Sequence, residues 1–207
     1  MSRVRVTVIL AALACGRTST PLSDTTFRID SSAAVPAVLS STAAVESTVA
    51  RPASAPLNAE LAVLRRELII PVADVVAGEL RDTFTEARSG GRVHDAIDIP
   101  APRGTHVLSA SPGRVLKLFT SKAGGLMVYA ADSTEGFILL YAHLDGYAPG
   151  LADGSALFRG ETIGFVGTTG NAPPNLPHLH FAIEKSADIS KWWQGTAVNP
   201  YPLLRNK

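Results

Sequence analysis

Leucines at positions 57, 61, 64 and 68 recur every three or four residues, which gathers them on one side of a helix. Asn58 stands where an N-cap would be expected, and Pro71 where the helix must stop. From about Val72 the rhythm changes. Short apolar runs alternate with Gly, Pro, Asp and Asn, the punctuation of antiparallel strands and turns. Runs at 114–119 (RVLKLF), 125–132 (GLMVYAAD), 137–144 (FILLYAHL), 162–167 (TIGFVG) and 178–185 (HLHFAIEK) are predicted as strands, with a shorter one at IDI, 97–99. The second and third are joined by ADSTEG, which has turn chemistry. Pro200 and Pro202 predict an extended C-terminal tail packed on the domain. The expected fold class is mainly β, an antiparallel sheet preceded by a short N-terminal helix, and no internal repeat is visible.

Upstream of Leu57 the chain reads differently. Arg3 and Arg5 precede an apolar run over 6–14 that is too short to span a bilayer as a helix but suits the core of an export signal. Residues 1–15 are read as that signal. Cys15 is the only cysteine, so an intramolecular disulfide is excluded. Its place after AALA resembles the lipobox of bacterial lipoproteins, in which the cysteine is lipidated and becomes the new N-terminus. The usual pattern has Leu three residues before the cysteine, whereas Ala12 stands there. The alternative is ordinary cleavage near Ala14 or a later small residue. Residues 16–56 are rich in Ser, Thr, Ala and Pro and hold no aromatic residue beyond Phe27, so they cannot bury enough apolar surface to offset their ordering entropy. They are read as a tether, and 57–207 as the folded domain. The expected location is outside the cytoplasm, periplasmic or in the cell envelope, with membrane anchoring through Cys15. A formal net charge of +1 suggests neither nucleic acid nor an anionic membrane surface as partner.

The chain holds five histidines. His178 and His180 lie one residue apart in a predicted strand, so they share a face about 6–7 Å apart, while Leu179, Phe181 and Ile183 form the apolar face. His94 precedes Asp98 by four residues. Imidazole and carboxylate both suit zinc, but four residues of straight strand span about 13 Å, so this segment must bend. Gly90, Gly91 and Ala96 are the residues expected to permit it. His143 closes an apolar run and, taken alone, reads most simply as a satisfied core residue. His106 lies near a turn and reads as a surface residue. Trp192 and Trp193 are read as covering a core edge rather than lining a groove.

Taken together, HDAID, APRGTHV, GGLMVY, YAHL, GTTGN and PHLHF follow one another in a fixed order. This succession resembles the lysostaphin/LytM-type zinc metalloendopeptidases, bacterial enzymes that cut peptides of the cell wall, over about residues 72–183. The resemblance implies a β-sandwich-like LytM-type domain with zinc as cofactor and peptidoglycan peptides as partner. It implies that His94, Asp98 and His180 are the metal ligands, and that His143 and His178 are catalytic residues flanking the attacking water. Tyr141 and Asn171 are further candidate hydrogen-bond donors. Some positions depart from the family pattern. Ala96 stands where Gly is usual, Ala182 where Glu is frequent and His106 where Pro is commoner, and the loop GNAPPNLP is about two residues longer. Two other readings compete: a catalytically silent activator or scaffold for other wall hydrolases, and a plain wall-binding module. The full set of ligands and flanking histidines favours the enzyme.

Overall fold

The computed structural model describes residues 57–207. The proposed signal, Cys15 and the tether lie outside the described residues. Helix α1 spans Leu57–Glu67, and its spacing has the predicted consequence, since Leu64 and Leu68 are buried in the core. Two details differ from expectation. The helix already includes Leu57, so Asn58 sits in its first turn rather than capping it. The helix also ends before Pro71, with the Leu68 N–H closing on the Leu64 carbonyl at 2.9 Å; the residues before a proline favour extended backbone. Lys185 pairs with Glu60 at 2.8 Å, and Ser133 Oγ donates to Glu67 at 2.7 Å, fastening the helix to the sheet.

A two-stranded hairpin, β1 (Ala87–Arg88) and β2 (Arg92–Val93), precedes a nine-stranded antiparallel sheet. The sheet comprises β3 (Ile97–Pro100), β4 (His106–Leu108), β5 (Gly113–Ser121), β6 (Gly125–Asp132), β7 (Phe137–Tyr147), β8 (Ala156–Leu157), β9 (Thr162–Val166), β10 (His178–Lys185) and β11 (Thr196–Val198). Its main order is β11-β10-β7-β6-β5-β8, with β3 added beside β10 and the β4–β9 pair beside β7. All five long apolar runs are therefore strands. The turn between β6 and β7 is held by buried Asp132, whose carboxylate accepts the backbone N–H groups of Thr134, Gly136 and Phe137. The C-terminus is not an extended tail: β11 adds to β10, and a short helix α2 (Tyr201–Leu204) follows and buries Leu204. Pro200 and Pro202 are compatible with that helix because its first turn has no need of their missing N–H groups.

Strand β7 positions the site. Along Phe137, Leu139 and Tyr141 its odd-numbered side chains enter the core, yet at Leu144 an even-numbered one does. The change of parity occurs at a bulge: the β6–β7 register shifts between the pairs Leu126–Leu144 and Val128–Tyr141. His143 lies in that bulge with φ 61°. On the edge away from β6, β7 pairs with β10 through Ala142 and with β9 from Leu144. The bulge thus coincides with the change of partner, and it turns His143 away from the core towards the open face of the sheet.

Candidate metal centre and groove

The open face of β10 carries His178 and His180, while Leu179, Phe181 and Ile183 are wholly buried beneath it. Register with β3 sets His180 directly opposite Asp98 and His178 opposite Pro100. His180 Nδ1 lies 3.2 Å from Asp98 Oδ1. His94 completes the group, with Nε2 3.0 Å from both His180 Nδ1 and Asp98 Oδ1. The bend that makes this contact possible was expected of Gly90, Gly91 and Ala96. Gly90 and Gly91 do turn the chain upstream, at φ 75° and 73°, but the bend between His94 and Asp98 falls at Asp95, at φ 56°, whose N–H bonds the Phe84 carbonyl at 3.0 Å, and not at Ala96. A short acidic side chain is among those that tolerate the left-handed region.

Each histidine is held by a backbone carbonyl or by its neighbours. His94 Nδ1 donates to the Thr83 carbonyl at 2.9 Å, His143 Nδ1 to that of Thr169 at 2.8 Å and His178 Nδ1 to that of Leu176 at 2.8 Å. In the neutral tautomer this leaves Nε2 of all three as a lone-pair acceptor. His143 and His178 face each other with ring centroids 5.0 Å apart, and His143 is 5.6 Å from the His180 ring. His178 Nε2 stands farther from Asp98, at 3.8 Å, than do the nitrogens of His94 and His180.

Burial alone would raise the Asp98 carboxyl, but the hydrogen bonds and charges of His180 and His94 hold it well below the usual carboxylate range. Asp98 is therefore an anion at any ordinary pH. His143 moves the other way. Burial lowers it to about 4, and the His180 and His178 rings add to that effect against the opposing bond to Thr169. One anion and several lone-pair nitrogens converge within a few ångströms. The ligand atoms of His94, Asp98 and His180 lie within 4.8 Å of one another, a donor set that a borderline cation such as zinc fits.

Two residues unmarked by any sequence signal complete the centre. Arg88 Nη2 donates to Asp98 Oδ2 at 2.7 Å, leaving Oδ1 for the histidines. Thr83 serves twice, through its carbonyl to His94 and through Oγ1, which accepts the Asp98 N–H at 3.1 Å. Its position gives no hint of this, because a carbonyl is available at every residue. Other expectations sort as follows. Asn171 lines the groove over the centre. Tyr141 does not reach it: its ring is buried on the core face, its hydroxyl accepts the Ala110 N–H at 2.9 Å, and burial pushes it up from the ordinary phenol value. His106 begins β4, exposed, against Thr162 and Phe165, away from the site. Trp192 packs on Phe119 and Tyr129 at centroid distances of 5.3 and 4.7 Å, while Trp193 is exposed.

A family model described as peptidase family M23 matches residues 92–200. The chain belongs to that family. The match takes in all five site residues, from His94 to His180, but begins after Arg88. The chain is 33% identical over 132 residues to the L-Ala–D-Glu endopeptidase of Bacillus subtilis, covering 60% of this chain and 39% of that protein. Among solved structures, Helicobacter pylori Csd3 is 29% identical, with a TM-score of 0.52 over 67% of this chain and 34% of that one. The catalytic domain of the antimicrobial peptidase lysostaphin from Staphylococcus simulans shares the fold at 23% identity, with a TM-score of 0.52 over 70% of this chain and 97% of that one. The M23 chain described here thus spans about two fifths of the B. subtilis relative and about a third of Csd3.

Proposed function

We propose that this M23 chain is a zinc-dependent endopeptidase that hydrolyses peptide bonds of bacterial peptidoglycan. The observation that carries the reading is the convergence of His94 Nε2, Asp98 Oδ1 and His180 Nδ1 beneath two further imidazoles in one open groove. The B. subtilis relative, named as an endopeptidase, supports the substrate class. In this reading His94, Asp98 and His180 hold the metal. When bound, zinc supplies a Lewis acid that polarises the scissile carbonyl and lowers the pKa of water.

The remaining work belongs to the chain itself. With Nδ1 engaged by a carbonyl, His143 and His178 turn Nε2 towards the groove. Between them they accept the proton of the attacking water and deliver one to the departing amine. The Thr169 and Leu176 carbonyls fix each ring's tautomer and favour the imidazolium once it forms. Arg88 and Thr83 keep Asp98 and His94 in place. A silent scaffold would have no need of the two flanking imidazoles, and their presence supports the enzyme reading. Export in an envelope location, with an anchor at Cys15, is part of the proposal because the substrate lies outside the cytoplasm.

Metal analysis of purified variants tests the roles. His180→Ala and Asp98→Ala should each lower bound zinc towards zero, since each removes one of three protein ligands. His143→Ala and His178→Ala should keep most of the zinc yet lose most turnover, by about 10²-fold or more on purified peptidoglycan. Equal zinc loss in all four variants would sink the assignment.

A further inference from the structure

The hairpin β1–β2 pairs Arg88 directly with Arg92. Two like charges opposite one another on an antiparallel ribbon repel, and such a pair persists where other groups compensate it. Arg88 is compensated, by Glu86 at 3.1 Å and Asp98 at 2.7 Å. Arg92 is not. Among the described residues it makes no ion pair, and its one recorded hydrogen bond runs from Nε to the Ser89 carbonyl at 3.3 Å. A guanidinium has five N–H donors in a planar fork, so most of its capacity faces outward.

Both arginines line the groove that holds His94 and Asp98. Apart from Asp98, they are the only residues of that lining with a fixed charge; its other polar members include the neutral Asn171 and Asn175. The single carboxylate is already engaged by Arg88 and by the histidines. The groove therefore carries uncompensated positive charge, which a bound dication would increase.

We propose that Arg92 is a specificity residue that binds a free carboxylate of the substrate, so that the chain prefers peptides carrying an α-carboxylate near the scissile bond over uncharged ones. An arginine fork matches a carboxylate through two parallel hydrogen bonds. Arg92 lies two residues before His94, about 6–7 Å along an extended backbone. The carboxylate it holds therefore belongs to a residue one or two places from the bond cleaved. Within peptidoglycan this selects stem peptides, which carry free carboxylates, over glycyl bridges, which carry none. The inference rests on the proposed peptidase function and deepens it.

The test uses the full chain and two synthetic probes: the stem tetrapeptide L-Ala–D-Glu–L-Lys–D-Ala, linked through the Glu side chain, and the same peptide with its carboxylates amidated. Calorimetry in a His143→Ala background, where the probe stays intact, reads affinity. The free acid should bind about 10-fold tighter than the amide, and Arg92→Gln should abolish that difference. Arg92→Lys should restore only part of it, because an ammonium lacks the fork. Zinc content should be unchanged in Arg92→Gln, whereas Arg88→Gln should weaken zinc retention through Asp98. Equal affinity for acid and amide, no binding of either probe, or zinc loss in Arg92→Gln would overturn the proposal. Digestion of whole peptidoglycan by the unmutated chain is scored separately: if no new amine termini appear, the peptidase reading fails, while the acid-over-amide difference remains a readable result.

Discussion

His143 shows how one position can be chemically legible and geometrically hidden. Its place in YAHL links it to the family pattern, but strict alternation from Phe137 would have put it in the core beside Tyr141. A single extra residue in β7, tolerated at φ 61°, brings it out. Leu144, buried on the opposite parity from Tyr141, is the trace of that bulge in the sequence. Asp95 makes the corresponding bend before Asp98, where glycine and alanine had been the natural suspects. Thr83 and Arg88 could not have been found, because contacts eleven and ten residues distant leave no periodic signal. His143 also gives a measurable pH dependence. Its folded value of about 4, set chiefly by burial, lies below the unfolded 6.5. The unfolded chain therefore takes up a proton first, so stability is full above pH 6.5 and falls as pH drops towards 4. The loss amounts to at most about 3 kcal/mol. In metal-free protein, His143→Gln should flatten this fall, as read by thermal melts at stepped pH. An unchanged slope would mean that His143 is not held neutral.

Strands and their partners were far more readable than the turns that aim side chains. The β6 and β10 boundaries match the apolar runs to the residue; β6 lies between Gly124 and its own terminal Asp132, and β10 starts directly after Pro177. Alternation assigned the apolar face of β10 correctly, and the β3–β10 register then places Asp98 beside His180 with no further device. The C-terminal segment was misread because Pro200 and Pro202 look like helix breakers when they in fact begin a helix. Just beyond β9 the chain approaches the bulge so closely that only glycine fits at 167, where an added Cβ would lie 2.4 Å from the Asp145 nitrogen and 2.8 Å from the His143 carbonyl oxygen. Gly167→Ala must therefore push β9 off β7 or displace the bulge. It should destabilise the domain by at least about 2 kcal/mol and lower turnover, with less effect on zinc content, since no ligand lies on β9. Denaturant melts beside metal analysis would check this; a melt like that of the unmutated chain would show that the contact relaxes freely.

The domain of residues 57–207 brings the groups of the candidate centre together from strands β3, β7 and β10 and from the segment 83–94 before them, while α1 packs Leu64 into the core. None of those groups comes from the segment upstream of Leu57. We propose, from its Ser, Thr, Ala and Pro content alone, that this segment has a spacing role rather than a packing one. Deleting residues 16–56 from a chain made without its signal should then leave melting temperature and zinc content nearly unchanged; a large fall in melting temperature would show that the segment packs on the domain. What it tethers the domain to depends on Cys15, the one thiol available for a lipid. If Cys15 is acylated, the mature chain partitions with membranes into detergent, and Cys15→Ser releases it or leaves it uncleaved. Mass spectrometry of the mature N-terminus decides the matter: a diacylated Cys15 establishes the anchor, and a free terminus beyond Cys15 establishes an exported enzyme that diffuses to its substrate.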